Sequence, residues 1–224
     1  MRFSVIIPLL NEMQLLPALL PQIQKIQADN HEVIIVDGGS QDESVDVIER
    51  AGYRVTACSQ GRAKQMNAGA QIATGDVLVF LHADTILPVD AMAQMMRACR
   101  NKPWGRFNVA FSDKGWIFSI IAAMMNFRSC VTGISTGDQC IFVLTQIFKM
   151  VKGFSDIPLM EDVALCKKLK RISSPYCVKS CVLTSARRWQ TQGIGKTIVL
   201  MWYLRLAYFL GVSPEKLHRM YHGK

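Results

Sequence analysis

The apolar positions of this chain alternate between short unbroken runs and longer stripes at helical spacing. Residues 3–7 are almost continuously apolar, as a strand buried on both faces requires. Leu15, Leu16, Leu19, Leu20, Ile23 and Ile26 then recur with the period of a helix. Residues 33–36 read as a second strand, ending in Asp37-Gly38-Gly39-Ser40. Ser40, with Glu43 three residues on, predicts a capping box for a helix that buries Val45 and Ile48. Residues 54–58 predict a third strand and 63–73 a helix. Val77-Leu78-Val79-Phe80-Leu81 predicts a fourth strand that runs straight into His82-Ala83-Asp84. Pro88 predicts the start of another helix, through Met92, Met95 and Met96.

The second half is less regular. Residues 107–111 and 139–144 read as strands, 159–169 as a helix and 181–184 as a last strand. Ser213-Pro214-Glu215 is a helix start, with Ser as cap and Pro in the first turn. Met92, Met95, Met96, Met124 and Met125 are expected to fill the core. Alternating strands and helices predict the α/β class: a mostly parallel, Rossmann-like central sheet with helices on both faces. The length of 224 residues, with no linker or repeat, predicts a single domain over 1–224.

Composition narrows the partners. The formal net charge of +9 suits nucleic acid, an anionic membrane face or a phosphorylated substrate. Aromatic residues do not interleave with the basic ones and no nucleic-acid motif is present, so no nucleic-acid partner is expected. The cysteines at 58, 99, 130, 140, 166, 177 and 181 are irregularly spaced and contain no Cys-x-x-Cys. Reduced, mostly buried thiols in a cytoplasmic protein are expected, without a zinc site. No signal peptide is read at the N-terminus, and no stretch reaches the roughly 20 apolar residues of a membrane span. Residues 116–127 are apolar but short. Residues 194–212 are longer but contain Lys196 and Arg205.

The chemistry is expected at the strand ends, where open α/β sheets bind ligands. Asn11 and Glu12 follow the first strand, Asp37 the second and Asp84 the fourth. A carboxylate placed like Asp84 can hold a divalent cation against a phosphate; the bland alternative is a turn or cap residue. Arg62, Lys64 and Asn67 lie at a helix entry that suits an anion, or form an ordinary solvated face. Glu161-Asp162 sits at a helix start behind an apolar segment. There a carboxylate can serve as general base or merely favour the helix dipole. Arg187-Arg188-Trp189 pairs two cations with an indole, either for phosphate recognition or as a basic patch beside a core Trp. There is no Gly-x-Gly-x-x-Gly, P-loop or Gly-x-Ser-x-Gly elbow.

Several segments now stand together: Ile6-Ile7-Pro8-Leu9-Leu10-Asn11-Glu12, Val36-Asp37-Gly38-Gly39-Ser40, Gly61-Arg62-Ala63, Gln65-Met66-Asn67 and Phe80-Leu81-His82-Ala83-Asp84-Thr85. Later come Gly137-Asp138-Gln139, Leu159-Met160-Glu161-Asp162 and Ser185-Ala186-Arg187-Arg188-Trp189. The set resembles the family-2 inverting glycosyltransferases of the GT-A fold, and among them the subgroup labelled rSAM/selenodomain-associated transferase 2. The resemblance implies a nucleotide-binding half at 1–112, an acceptor and catalytic half at 113–193, and C-terminal helices at 194–224.

It also implies roles. Asn11, Glu12 and Asp37 would contact the nucleoside, with Pro8, Gly38, Arg62, Asn67 and Ala83 in the same donor-side motifs. Asp84 would ligate Mg²⁺ or Mn²⁺. The usual Asp-x-Asp has His82 at its first position here, leaving His82 as a ligand, a neighbour of one, or a packed ring. Asp162, beside Glu161, would deprotonate the acceptor hydroxyl. Gly137, Asp138 and Gln139 would shape the acceptor pocket. Arg187, Arg188 and Trp189 would close over the diphosphate or line the acceptor site. The implied reaction moves a sugar from a nucleotide-sugar donor to a hydroxyl acceptor with inversion. Apolar stretches and basic charge suggest a lipid-linked acceptor and peripheral contact at the cytosolic membrane face through residues 194–212, with a helix packed on the domain or in a dimer as the alternative. A sugar nucleotidyltransferase and a non-catalytic basic protein binding nucleotides or nucleic acid are the other classes. The first is disfavoured because no Gly-rich basic loop follows the first strand.

Overall fold

The computed structural model describes residues 1–222, the side chains of Arg188, Gln192 and His222 excepted. In chain order the elements are β1 (Phe3–Leu9), α1 (Leu16–Ala28), β2 (Glu32–Asp37), α2 (Ser44–Arg50), β3 (Val55–Ala57), α3 (Arg62–Ile72), β4 (Val77–Phe80), β5 (Thr85–Ile86) and α4 (Ala91–Cys99). There follow β6 (Trp104–Phe111), α5 (Trp116–Thr132), β7 (Ile141–Leu144), α6 (Thr145–Met150), α7 (Glu161–Lys170), β8 (Tyr176–Thr184), α8 (Arg187–Gln192), α9 (Ile194–Phe209) and α10 (Pro214–His222).

The strands form one sheet in the order β3-β2-β1-β4-β7-β6-β8-β5. The first four are parallel, joined through α1, α2 and α3. β7 pairs antiparallel with both β4 and β6, β8 runs parallel to β6, and β5 closes the edge antiparallel to β8. β1 explains the unbroken apolar run. Phe3, Val5, Ile7 and Leu9 pack with α1 and α4 on one face, while Ile6 packs with α3, α6 and α7 on the other. Alternate side chains of a strand point to opposite faces, so a strand covered twice needs apolar residues throughout.

After β1 the chain builds outward through β2 and β3, then returns to lay β4 on the other side of β1. The loops after β1 and β4 therefore part at a topological switch point, where open α/β sheets form a crevice.

Four local expectations are corrected. Ser40 caps no helix, because α2 begins at Ser44; the Ser40 hydroxyl bonds the Asp37 carboxylate instead. Pro88 precedes α4 by a turn, and the helix starts at Ala91 behind Asp90. Met124 is 51% exposed, not core. The seven cysteines are all free, but only Cys99, Cys140 and Cys166 are buried. Within 194–212, α9 (Ile194–Phe209) packs one side on the domain, where Leu204 and Ala207 lie against Met160 and Val163 at the start of α7.

Candidate active site

The site is built on the C-terminal ends of β1, β2 and β4. Two interlocked loops hold the first part. Asp37 is buried, and its carboxylate accepts hydrogen bonds from the Gly39 N–H (2.9 Å), the Ser40 N–H (3.1 Å) and the Ser40 hydroxyl (2.6 Å). Asn11 adopts a left-handed conformation (φ 54°), and its Oδ1 accepts the Gln41 N–H at 2.7 Å. The Asn11 N–H in turn donates to Ser40 Oγ at 2.9 Å.

Beneath these loops lies a residue that the sequence reading quoted within a motif but gave no role. The buried Gln65 amide donates to the carbonyls of Leu9 and Val36, both at 2.8 Å, and so ties the ends of β1 and β2 together. Gly38 sits directly on this amide; a Cβ there would come 2.9 Å from Gln65 Cδ. The signal was weak, because Gln65 stands in a mostly polar helix, between Lys64 and Met66, and only its position on the buried face sets it apart.

Glu12 and Asp84 face the same opening. Burial pushes the Glu12 carboxyl up, the Asp84 charge adds to that, and the Arg187 guanidinium opposes it, with Nη2 3.4 Å from Glu12 Oε2. Asp84 accepts the Thr85 hydroxyl at 3.2 Å, and Ala83 is half-buried beside it. Among the described residues no three His, Cys, Asp or Glu side chains converge into a ready metal cage. Mg²⁺ and Mn²⁺ sites that complete their shell with substrate phosphates need only one or two carboxylates. The repulsion between Asp84 and Glu12 is what a divalent cation would relieve, so the residues fit such an ion.

His82 is buried, with Nδ1 3.6 Å from Asp138 Oδ1. Its other nitrogen lies against Gly137, where a Cβ would come 2.2 Å from Nε2. Both ring nitrogens thus address the short 3₁₀ turn Gly137–Gln139, leaving Asp84 as the carboxylate available to a metal. Burial raises the Asp138 carboxyl, but the hydrogen bond and charge of His82, with the charges of Arg62 and Arg205, outweigh it and hold the group below its ordinary range.

The acids at the start of α7 form the opposite wall. Met160 enters the helix in the left-handed region (φ 69°), which turns Glu161 and Asp162 back toward the sheet edge. Asp162 Oδ2 accepts the Gly137 N–H at 3.0 Å and Oδ1 the Val163 N–H at 2.7 Å. Glu161 is buried; desolvation, then the neighbouring Asp162 charge, push its carboxyl up to about 7. Arg62 links the walls, with Nη1 3.9 Å from Glu161 Oε1 and a charge felt by Glu12 and Asp138.

Not every predicted residue reaches the opening. The Asn67 amide is committed to the backbone of Phe154, donating at 2.9 Å and accepting at 3.0 Å, so it anchors the loop that leads to α7. Gln139 is fully buried and donates to Ser129 Oγ at 2.9 Å. The Trp189 ring stands edge-on to Phe111 with centroids 5.8 Å apart, inside a small apolar cluster. Pro8 is half-buried within β1, in register with Val36. The side chain of Arg188 lies outside the described residues.

Two further residues near Asp162 were not singled out for the site. Arg128 of α5 donates Nη1 to the Ile134 carbonyl at 3.0 Å, while its Nε and Nη2 are buried with no partner among the described residues. Burial, then the charge of Arg205, push this guanidinium down to about 10, against the pull of Asp162. Arg205 of α9 is likewise lowered by burial and held up by Asp162 and Asp138. Their traces in the sequence were the cation that ends the apolar stretch 116–127 and one of the two cations, with Lys196, inside 194–212.

Comparison with known proteins accords with this geometry. The profile described as Glycosyl transferase family 2 matches residues 4–128, from β1 through most of α5. The chain belongs to this family. A Mycobacterium tuberculosis PGL/p-HBAD biosynthesis glycosyltransferase is 38% identical over 101 residues, 42% of this chain and 40% of that protein. A Pseudomonas syringae undecaprenyl-phosphate 4-deoxy-4-formamido-L-arabinose transferase is 31% identical over 105 residues, 42% of this chain and 31% of that protein. The chain thus spans two fifths or less of the length of these family-2 relatives. In fold it is similar to residues 1–349 of Staphylococcus aureus TarS (TM-score 0.68, 16% identity, covering 83% of this chain and 61% of that one). It is also similar to the Pyrobaculum calidifontis mannosyltransferase PcManGT, solved with GDP-Man and Mn²⁺ (TM-score 0.67, 19% identity, 99% and 68%). The fold expected from the sequence, a GT-A α/β sheet, is therefore the one found.

Proposed function

We propose that the chain is an inverting glycosyltransferase that moves a sugar from a nucleotide-diphosphate donor to a hydroxyl acceptor. The observation that carries this reading is the meeting of two walls across one sheet edge. Asn11, Glu12, Asp37, Asp84 and Arg187 form one, Glu161 and Asp162 the other, and Arg62 spans between them.

On the donor side, Asn11, Glu12 and Asp37 meet the nucleoside, and Arg187 offers a fixed cation to the diphosphate. Asp84 would hold Mg²⁺ or Mn²⁺, which when bound neutralises charge on the diphosphate. On the acceptor side, Asp162 takes the hydroxyl proton, oriented by the Gly137 and Val163 N–H groups. A positioned base of this kind contributes about 10²–10⁴-fold in rate. The acceptor attacks opposite the leaving group, which inverts the anomeric centre. The relative named for undecaprenyl-phosphate supports a lipid-linked acceptor. The reading includes peripheral contact at the cytosolic membrane face; among the described residues no helix is long and apolar enough to cross a membrane.

The test is thermal unfolding of the full chain with UDP, GDP, CDP and dTDP, each with and without Mn²⁺. A nucleotide at about 100 times its Kd should add ~2.7 kcal/mol of stability. A metal-dependent shift for one nucleotide is expected and identifies the donor class; no shift with any of them would overturn the reading.

A further inference from the structure

α5 and α9 each carry an exposed apolar row. On α5 the exposed residues include Trp116, Ile120, Met124, Phe127 and Val131. At about 100° per residue these five fall within an arc of roughly 80°. On α9 and its C-terminal cap Leu210 the row is Val199, Trp202, Tyr203, Leu206, Phe209 and Leu210, within roughly 120°. The two helices are neighbours, since Ile121 of α5 and Ile198 of α9 pack in the same cluster. Exposed apolar rows on neighbouring helices are the kind of surface that marks an interaction site.

The two arginines beside Asp162 belong to the same helices. Arg128 lies roughly 40° from Met124 around α5, and Arg205 roughly 40° from Phe209 around α9. Each therefore sits where the apolar row turns inward to the site. Among the described residues neither has a carboxylate within salt-bridge distance, and Arg128 has two buried donors without a partner. Asp162 opposes both charges only from beyond salt-bridge distance, so a further anion beside the two cations would complete their neutralisation.

We propose that α5 and α9 form the binding site of an anionic lipid, its phosphate-bearing head resting on Arg128 and Arg205 and both apolar rows entering the surrounding membrane. The inference rests on the transferase reading only in making this lipid the acceptor side of the reaction. Charge selects the occupant. Positions 187–224 hold seven Lys and Arg against the single acid Glu215. A two-fold dimer through this face would set that charge against itself, whereas an anionic bilayer attracts it. Trp116, Trp202 and Tyr203 are the residue types that settle at the headgroup level.

The experiment is sedimentation of the full chain with vesicles of phosphatidylglycerol and phosphatidylcholine, and with phosphatidylcholine alone. Binding to the anionic vesicles only is expected. Phe127→Ser with Trp202→Ser replaces two exposed side chains (73% and 60% exposed), so the fold should persist. It should weaken binding more than about tenfold and leave nucleotide binding unchanged. Arg128→Gln with Arg205→Gln should weaken it roughly 30-fold, at about 1 kcal/mol for each cation near the surface; Arg205→Gln alone serves if the double variant does not fold. Equal binding to both vesicle types, or to neither, overturns the proposal. So does a vesicle-independent dimer abolished by Phe127→Ser with Trp202→Ser, or inorganic phosphate that binds through the arginines while vesicles do not. The readout is binding, so a missing transferase activity and a missing lipid site give different results.

Discussion

Replacing Glu161 with Gln should make the protein more stable at alkaline pH. Glu161 is 6% exposed, and desolvation followed by the Asp162 charge raises its carboxyl from 4.5 to about 7. The Arg62 guanidinium at 3.9 Å offsets only part of this, being itself 57% exposed. The sign follows from proton counting. Between about 4.5 and about 7 the folded protein holds a proton that the unfolded chain has released, so stability falls as pH rises through that window and is level above it. At 1.36 kcal/mol per pH unit, the loss is ~3 kcal/mol by about pH 8. Gln keeps the shape and an acceptor oxygen but carries no charge. Glu161→Gln should therefore match the parent near pH 4.5 and exceed it by up to ~3 kcal/mol near pH 8. For a chain of this length that is roughly 6–12 °C in Tm. The assay is thermal or urea unfolding of both proteins at the two pH values. A gain of equal size at both, or none near pH 8, would show that Glu161 is not a desolvated carboxylate, and the dry wall opposite the donor would lose its main support.

The remaining predictions concern the walls of the site. Asp162→Asn should lower transfer by about 10²–10⁴-fold while nucleotide binding is retained; full activity in that variant would remove Asp162 as base. Asp84→Ala should abolish the Mn²⁺ dependence of nucleotide binding, and an unchanged dependence in titrations would count against Asp84 as the ligand. Gln65→Leu removes one donor from the Leu9 carbonyl, which keeps the Gly38 N–H at 2.9 Å, and one from the Val36 carbonyl; losing the two bonds should cost ~1–3 kcal/mol in chemical unfolding and weaken nucleotide binding, and a neutral result would mean that the loops are held without it. Gly137→Ala drives a Cβ to 2.2 Å from His82, so transfer should fall by more than about tenfold through displacement of the Asp138 and Asp162 contacts. Parent-like kinetics there would show the turn to be free to shift.

What could be read in the sequence tracks what determines each feature. The parallel half was legible because strand and helix periods are local: β1, β2 and β4 appear where the apolar runs lie, within two residues or so. The mixed half was not. β6 begins at Trp104 and β8 at Tyr176, each ahead of the expected start, because β6 pairs with β8 across a register shift between Phe107 and Asn108 that no local pattern encodes. α5 was seen only as an apolar stretch, since its outer row and its buried face are both hydrophobic and blur the helical period.

The same distinction separates two kinds of site residue. Asp37, Asp84, Glu161 and Asp162 could be found because acids immediately after apolar runs mark strand ends and helix starts. Asn67, Gln139 and Trp189 stand in equally conspicuous motifs, yet they hold the frame: Asn67 grips Phe154, Gln139 is sealed behind Ser129, and Trp189 abuts Phe111. A polar residue in a motif and a polar residue facing the opening look alike until the fold assigns hydrogen-bond partners. The converse holds for Arg128 and Arg205. In the sequence they read as blemishes in apolar helices, and only packing brings them beside Asp162 without a carboxylate of their own. If the proposed donor wall is right, a cation pair on the other wall with no salt-bridge partner among the described residues argues for an acceptor that carries its own negative charge. Removing those cations should therefore change acceptor recognition while leaving the nucleotide wall untouched.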